Sequence, residues 1–95
     1  MSMAEEGFIV SLLKEAQGAL NERKIEVAKR KFEEVMHFSE DSHPWIYFKA
    51  CFGLVEAFME EGSYASAIKY SVEALLNAPD EEIFSLGLFF KWLKA

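Results

Sequence analysis

The sequence is poor in the residues that fix covalent or sharply bent structure: one cysteine, two prolines and five glycines in 95 positions. A single thiol, Cys51, excludes an internal disulfide and makes a reducing compartment its natural setting. Its neighbours Ala50, Phe52 and Leu54 read as the surroundings of a buried structural thiol. Long hydrophobic runs are missing too, since none approaches the ~18 residues of a membrane span. The opening Met-Ser-Met-Ala-Glu-Glu carries two acids where a secretory signal would carry basic residues. The expectation is a cytoplasmic protein that makes no use of a membrane.

Positive charge is the next shortage, with ten Lys and Arg against sixteen Asp and Glu, a net charge of −6 and a pI near 4.9. Phosphate binding draws its affinity from clustered cations that release counterions, so nucleic acid is not expected as a partner. The longest basic cluster, Lys29-Arg30-Lys31, would fan out over more than half the circumference of a helix. It reads as a solvated flank.

Catalytic and metal-binding patterns are missing as well. His37, His43 and Cys51 are the only soft ligand candidates, and their spacings match no zinc pattern. The acids fall in adjacent pairs, Glu5-Glu6, Glu33-Glu34, Glu60-Glu61 and Glu81-Glu82. Neighbouring residues on a helix point about 100° apart, so such pairs do not converge on one substrate atom. No Gly-rich phosphate loop, nucleophile elbow or His-Glu-x-x-His is present. No cofactor, no metal and no enzymatic activity are expected.

What the sequence has is apolar surface: 52% hydrophobic residues, including nine Phe, three Tyr and two Trp. Ninety-five residues suit one domain, 1–95, and a chain this short buries only roughly two thirds of its unfolded surface. Some of the aromatic residues are therefore expected to face a partner. Strand signals are nearly absent, whereas apolar residues recur every three or four positions. An all-α fold of about five helices follows. The first, about 5–21, aligns Phe8, Ile9, Leu12, Leu13, Ala16 and Leu20, and Asn21-Glu22-Arg23-Lys24 reads as a tight turn. The second, about 25–39, turns Ile25, Ala28, Phe32, Val35 and Met36 inward and leaves Glu26, Lys29, Arg30 and Glu33 largely wet.

A polar linker, Ser39 to Pro44, leads into a third helix over about 44–61 with Trp45, Phe48, Cys51, Phe52, Val55, Phe58 and Met59. Gly62 is placed to end it in the left-handed conformation, and Ser63 to cap the next helix through its hydroxyl. That fourth helix, about 64–77, is expected to point Tyr64, Ala67, Ile68, Ser71, Ala74 and Leu75 inward. After Asn77-Ala78-Pro79-Asp80, a fifth helix over about 81–94 is apolar nearly all round.

The second hairpin, about 44–77, carries Leu54, Phe58, Gly62, Tyr64, Ala67, Ala74 and Pro79, a pattern that resembles a tetratricopeptide repeat. In the first hairpin, about 5–39, Leu12, Ala16, Ala19, Ala28 and Phe32 fall in register, but Arg23 and Glu40 stand where the turn glycine and final proline belong. Ala28 and Ala67 are 39 residues apart, about five more than the family's period, and the polar linker accounts for the excess. The resemblance implies two antiparallel hairpins in a right-handed stack, closed by a capping helix over about 81–94. A five-helix bundle without repeats is the alternative.

The family's first helices line a concave groove for a peptide or helix. Carried over, the groove comprises Val10, Leu13, Gln17, Phe52, Glu56, Met59, Leu86, Phe90 and Leu93, a mainly apolar set. One branch grips a terminal carboxylate with Lys, Arg and Asn. The matching positions here are Leu13, Gln17, Gly53, Ile83 and Gly87, so that clamp is missing. The expectation is a protein–protein interaction module that takes a peptide, a helix or a second copy of itself. Leu88, Phe89 and Trp92 are the candidate contacts of a homodimer, because a capping helix normally turns a polar face to water. A subunit of a larger assembly without independent activity, or a small metal-binding protein, are the alternatives.

Overall fold

The computed structural model describes residues 3–79 of the chain. Four helices succeed one another: α1 (Met3–Asn21), α2 (Ile25–Ser39), α3 (Pro44–Glu60) and α4 (Tyr64–Leu76). Among the described residues there is no strand, in agreement with the all-α expectation. The fifth helix expected over about 81–94 lies outside the described residues. So do Leu86, Leu88, Phe89, Phe90, Trp92 and Leu93.

Each helix packs on its sequence neighbour, and α1 also touches α3. The larger core cluster forms where Ile9, Leu12 and Ala16 of α1 meet Phe32 and Val35 of α2 and Leu54 of α3. A second cluster joins Tyr47, Phe48 and Cys51 to Ala74 of α4, and Met36 packs against both. Pro44 opens α3 where its fixed φ suits a first turn and its missing N–H is no loss.

The two hairpin turns are built alike. The Arg23 and Lys24 amides donate to the Leu20 and Ala19 carbonyls, and those of Gly62 and Ser63 to Met59 and Phe58, every partner displaced by 39 residues. This double bond is the Schellman closure of a helix C-terminus, which needs a left-handed residue. Gly62 supplies it at φ 80°, and Arg23 adopts φ 61° although it carries a side chain. The missing glycine therefore does not change the first turn. Arg23 is also tied to the end of α3 by an exposed 3.0 Å contact with Glu60. At Gly62 a β-branched residue should fare worse than arginine. Gly62→Val is expected to lose on the order of 1–2 kcal/mol, seen as a lower denaturant midpoint with unchanged slope, and parental stability would refute the turn.

Several side chains depart from their expected places. Phe8 is exposed and meets Phe38 edge-on at 5.4 Å, because the interior stripe of α1 is satisfied by Ile9, Leu12 and Ala16. Ser63 does not cap α4; its hydroxyl donates to the Glu61 carboxylate at 2.7 Å. Ser39, placed in both the second helix and the linker, belongs to α2 as its buried last residue, its hydroxyl donating to the Val35 carbonyl at 2.6 Å. Lys29 and Lys31 are not a solvated flank either. Lys29 bridges Glu26 at 2.8 Å and Glu61 at 2.7 Å and lies over the Phe58 ring, while Lys31 reaches Glu15 of α1 at 3.2 Å. Their alkyl stems cover apolar surface while the ammonium groups tie helices together.

On α4 the inward residues are small: Ala67, Ser71 and Ala74. Tyr64 and Ile68, expected inside, are 60% and 62% exposed, and Val72 and Leu76 are 48% and 78% exposed. The close approach that small residues allow leaves no room for the large ones between α4 and α3. Ala67→Leu should overpack this crossing and cost on the order of 1–3 kcal/mol. An unchanged melting temperature would show that Ala67 is not at a tight contact.

Candidate interaction cleft

A cleft of about 420 Å³ opens between α1 and α3, within the size range of ligand sites. One wall is Gln17 and Asn21 of α1, the other Lys49 and Glu56 of α3, and Leu20, Phe32 and Gly53 complete the lining. The helical repeat explains the convergence. Gln17 and Asn21 are four apart, and Lys49, Gly53 and Glu56 follow at four and three, so each set lies on one face.

Gly53 is what lets α2 support this site. A Cβ at Gly53 would collide with the Phe32 ring, whose Cδ1 would be 2.6 Å away. Phe32 is fully buried, so its ring has little freedom to withdraw. Glycine at mid-helix thus admits the ring and keeps the cleft floor open.

Of the groove residues expected from the sequence, Gln17 and Glu56 line the cleft. Leu13 is in the core, where its side chain serves packing and is not presented to a ligand. Val10 and Phe52 are half-buried, with Phe52 edge-on to Phe48 at 4.7 Å, and Met59 is exposed, all outside the cleft lining. The lining is therefore more polar than the mainly apolar set expected. Asn21, at the expected junction of the first helix and its turn, and Lys49 are cleft residues outside the expected groove set. Their signal is the spacing of four from Gln17 and from Gly53.

The groups near α4 are held in uncharged or paired states. The Tyr47 hydroxyl donates to Glu73 at 2.9 Å, and the Asn77 amide reaches the Glu73 carbonyl and carboxylate at 2.9 and 3.2 Å. Burial pushes the Tyr47 hydroxyl up, with the bond to Glu73 adding to it. Burial also raises the Cys51 thiol to about 12, helped by the nearby Glu73 charge. At neutral pH that sulfur is a protonated apolar group and not a nucleophile. Lys29 is held above its ordinary value by its bonds to Glu26 and Glu61, and Glu61 below its own by the bond to Lys29. Among the described residues no group of three or more His, Cys, Asp or Glu could hold a metal ion, and no helix is long and apolar enough to cross a membrane. Compared with protein-family models, with curated proteins and with solved structures, the chain matches none.

Proposed function

We propose that this protein is a non-enzymatic interaction module that holds another polypeptide in the cleft between α1 and α3. The observation that carries the reading is the cleft lining: amides and a cation–carboxylate pair of walls around the apolar Leu20 and Phe32. An extended peptide offers backbone donors and acceptors for Gln17 and Asn21, charged side chains for Lys49 and Glu56, and an apolar side chain for the floor. A tetratricopeptide-like right-handed stack is the architecture we favour for it. Support comes from the two Schellman turns 39 residues apart and from α3 packing on both helices of the first hairpin. The acidic charge speaks against nucleic acid, and the single buried thiol suits a cytoplasmic home.

Peptides selected from a random library against the full chain provide the test. They are expected to shift the backbone amide resonances of Gln17, Asn21, Lys49 and Glu56, and to bind about tenfold more weakly to Lys49→Glu, whose reversed charge opposes its former partner. Selected peptides that move none of these four resonances would sink the cleft as the binding site.

A second reading is self-association through Leu88, Phe89 and Trp92, favoured by the apolar character of the chain from α4 onward. Sedimentation at micromolar protein should then give twice the 10.9 kDa chain mass, and Phe89→Glu with Trp92→Glu should return it to one. A monomeric parent removes the dimer and leaves the cleft reading intact.

A further inference from the structure

The α3 wall of the cleft belongs to a longer stripe. Trp45, Lys49 and Gly53 follow at four-residue steps, so they stand in one line along the helix, each step rising about 6 Å. Trp45 lies one turn beyond the cleft lining, 47% exposed and edge-on to Phe48 with ring centroids 6.4 Å apart. Tryptophan is among the residues that contribute most where polypeptides bind.

The two charges of the lining differ in how far they are committed. Glu56 is already engaged within the fold. Lys49 is exposed and joins none of the ion pairs of the described residues, which take up Arg23, Lys24, Lys29 and Lys31. The unmet charge of the cleft is therefore positive, and its complement is a carboxylate. The whole chain carries −6, which repels a run of acids. A single carboxylate between neutral neighbours gains the ion pair with the least repulsion.

The α1 wall offers amides in place of charge. Among the described residues no side-chain hydrogen bond involves the Gln17 or Asn21 amide. Such amides pair with a backbone whose N–H and C=O groups are free, as they are in an extended segment and are not inside a helix. The extended form also fits α3. Every second side chain points to the same face, and two residues rise about 6.6 Å. This differs by only about 0.6 Å from the four-residue step of α3, and the flexible Lys49 stem absorbs the difference.

On the reading that the cleft holds a peptide, we propose that it selects one class: an extended segment with an acidic side chain between two apolar ones, each two positions away. The carboxylate pairs with Lys49. One apolar side chain lies on the Trp45 ring, and the other enters the floor at Leu20 and Phe32, beside Gly53. The peptide backbone meets Gln17 and Asn21. Trp45 thereby joins the ligand-binding residues, and the ligand's own termini take no part.

Selection from a synthetic random peptide library against the full chain tests this, with every peptide acetylated and amidated so that side chains supply the only carboxylates. Selected peptides are expected to carry Asp or Glu with an apolar residue two positions to either side. They should bind about tenfold more weakly to Trp45→Ala, while Trp45→Phe keeps most of the affinity. Selection against Lys49→Glu should replace the acid by Lys or Arg at the same position. Three outcomes would overturn the inference while leaving the cleft as the peptide site, provided the selected peptides still shift the Gln17 and Asn21 resonances. They are no enrichment of an acid, an acid three or four positions from the apolar residues as on one face of a helix, and affinity untouched by Trp45→Ala. A library that yields no binder, or binders that shift no cleft resonance, would overturn the cleft reading as well.

Discussion

Gly53→Ala should destabilise the protein by about 1–3 kcal/mol, the range typical of overpacked cores, although the same change stabilises most helices. In an unconstrained helix interior alanine is favoured over glycine by about 0.5–1 kcal/mol. Here the added Cβ meets the Phe32 ring, which is 1% exposed and enclosed by the first core cluster. Either the ring leaves its rotamer or α3 moves from α2, and both disturb the α2–α3 interface. Removing the ring instead, Phe32→Ala, should cost about 3–5 kcal/mol through lost burial and a residual cavity. The pair distinguishes collision from mere loss of helix fit: Gly53→Ala combined with Phe32→Leu should recover part of the loss from the glycine change. Additive costs in the double-mutant cycle, or a Gly53→Ala protein as stable as the parent, would refute the contact.

Alkaline pH should weaken the folded state from about pH 9 upward. The Cys51 thiol is raised by burial from an ordinary 9.0 to about 12, and the Tyr47 hydroxyl is raised from 10.0. Both are neutral acids whose charged forms the folded state rejects. Below pH 9 the folded and unfolded chains hold the same protons on these groups, and their contribution is constant. Between about 9 and 12 the unfolded thiol ionises while the folded one does not, so stability falls as pH rises. The slope is about 1.4 kcal/mol per pH unit for one proton, comparable over that window to much of a small domain's total stability. Cys51→Ala should lower stability by a constant amount near pH 7 through the lost packing and make it fall less steeply from pH 9 upward, Tyr47 keeping part of the slope. Denaturant midpoints across pH 7–11 would show this, and a variant curve parallel to the parent's would sink the assignment.

The existence and limits of the four described helices are legible because each depends on local signals: apolar recurrence, Pro44 at a helix start, Gly62 at a helix end. The first turn is legible at Asn21-Glu22-Arg23-Lys24, but Arg23 hides its geometry, since nothing in its chemistry announces a left-handed backbone; only the matching hydrogen bonds around it do. Burial on α4 was misread for a related reason. Its apolar residues span so much of the circumference that periodicity could not say which part met α3, and the deciding fact was the small size of Ala67, Ser71 and Ala74. The cleft was half legible. Gln17 and Glu56 came from the repeat resemblance, but Lys49 and Asn21 join them only once the angle between α1 and α3 is fixed, and Leu13 turned out to be core for the same reason.

Among the described residues α1, α2, α3 and α4 each pack on the next, and the main skip is from α1 to α3, so most contacts between helices join sequence neighbours. Low contact order of this kind places folding on the microsecond-to-millisecond scale. Among the described helices α3 alone packs extensively on all three others, so without it the one extensive interface left is that between α1 and α2. Its amides should exchange with solvent only through global unfolding, while those at the start of α1 and the end of α4 can open on their own. The four described helices are thus assembled around α3, and the outer turns of α1 and α4 are the parts they can release without coming undone.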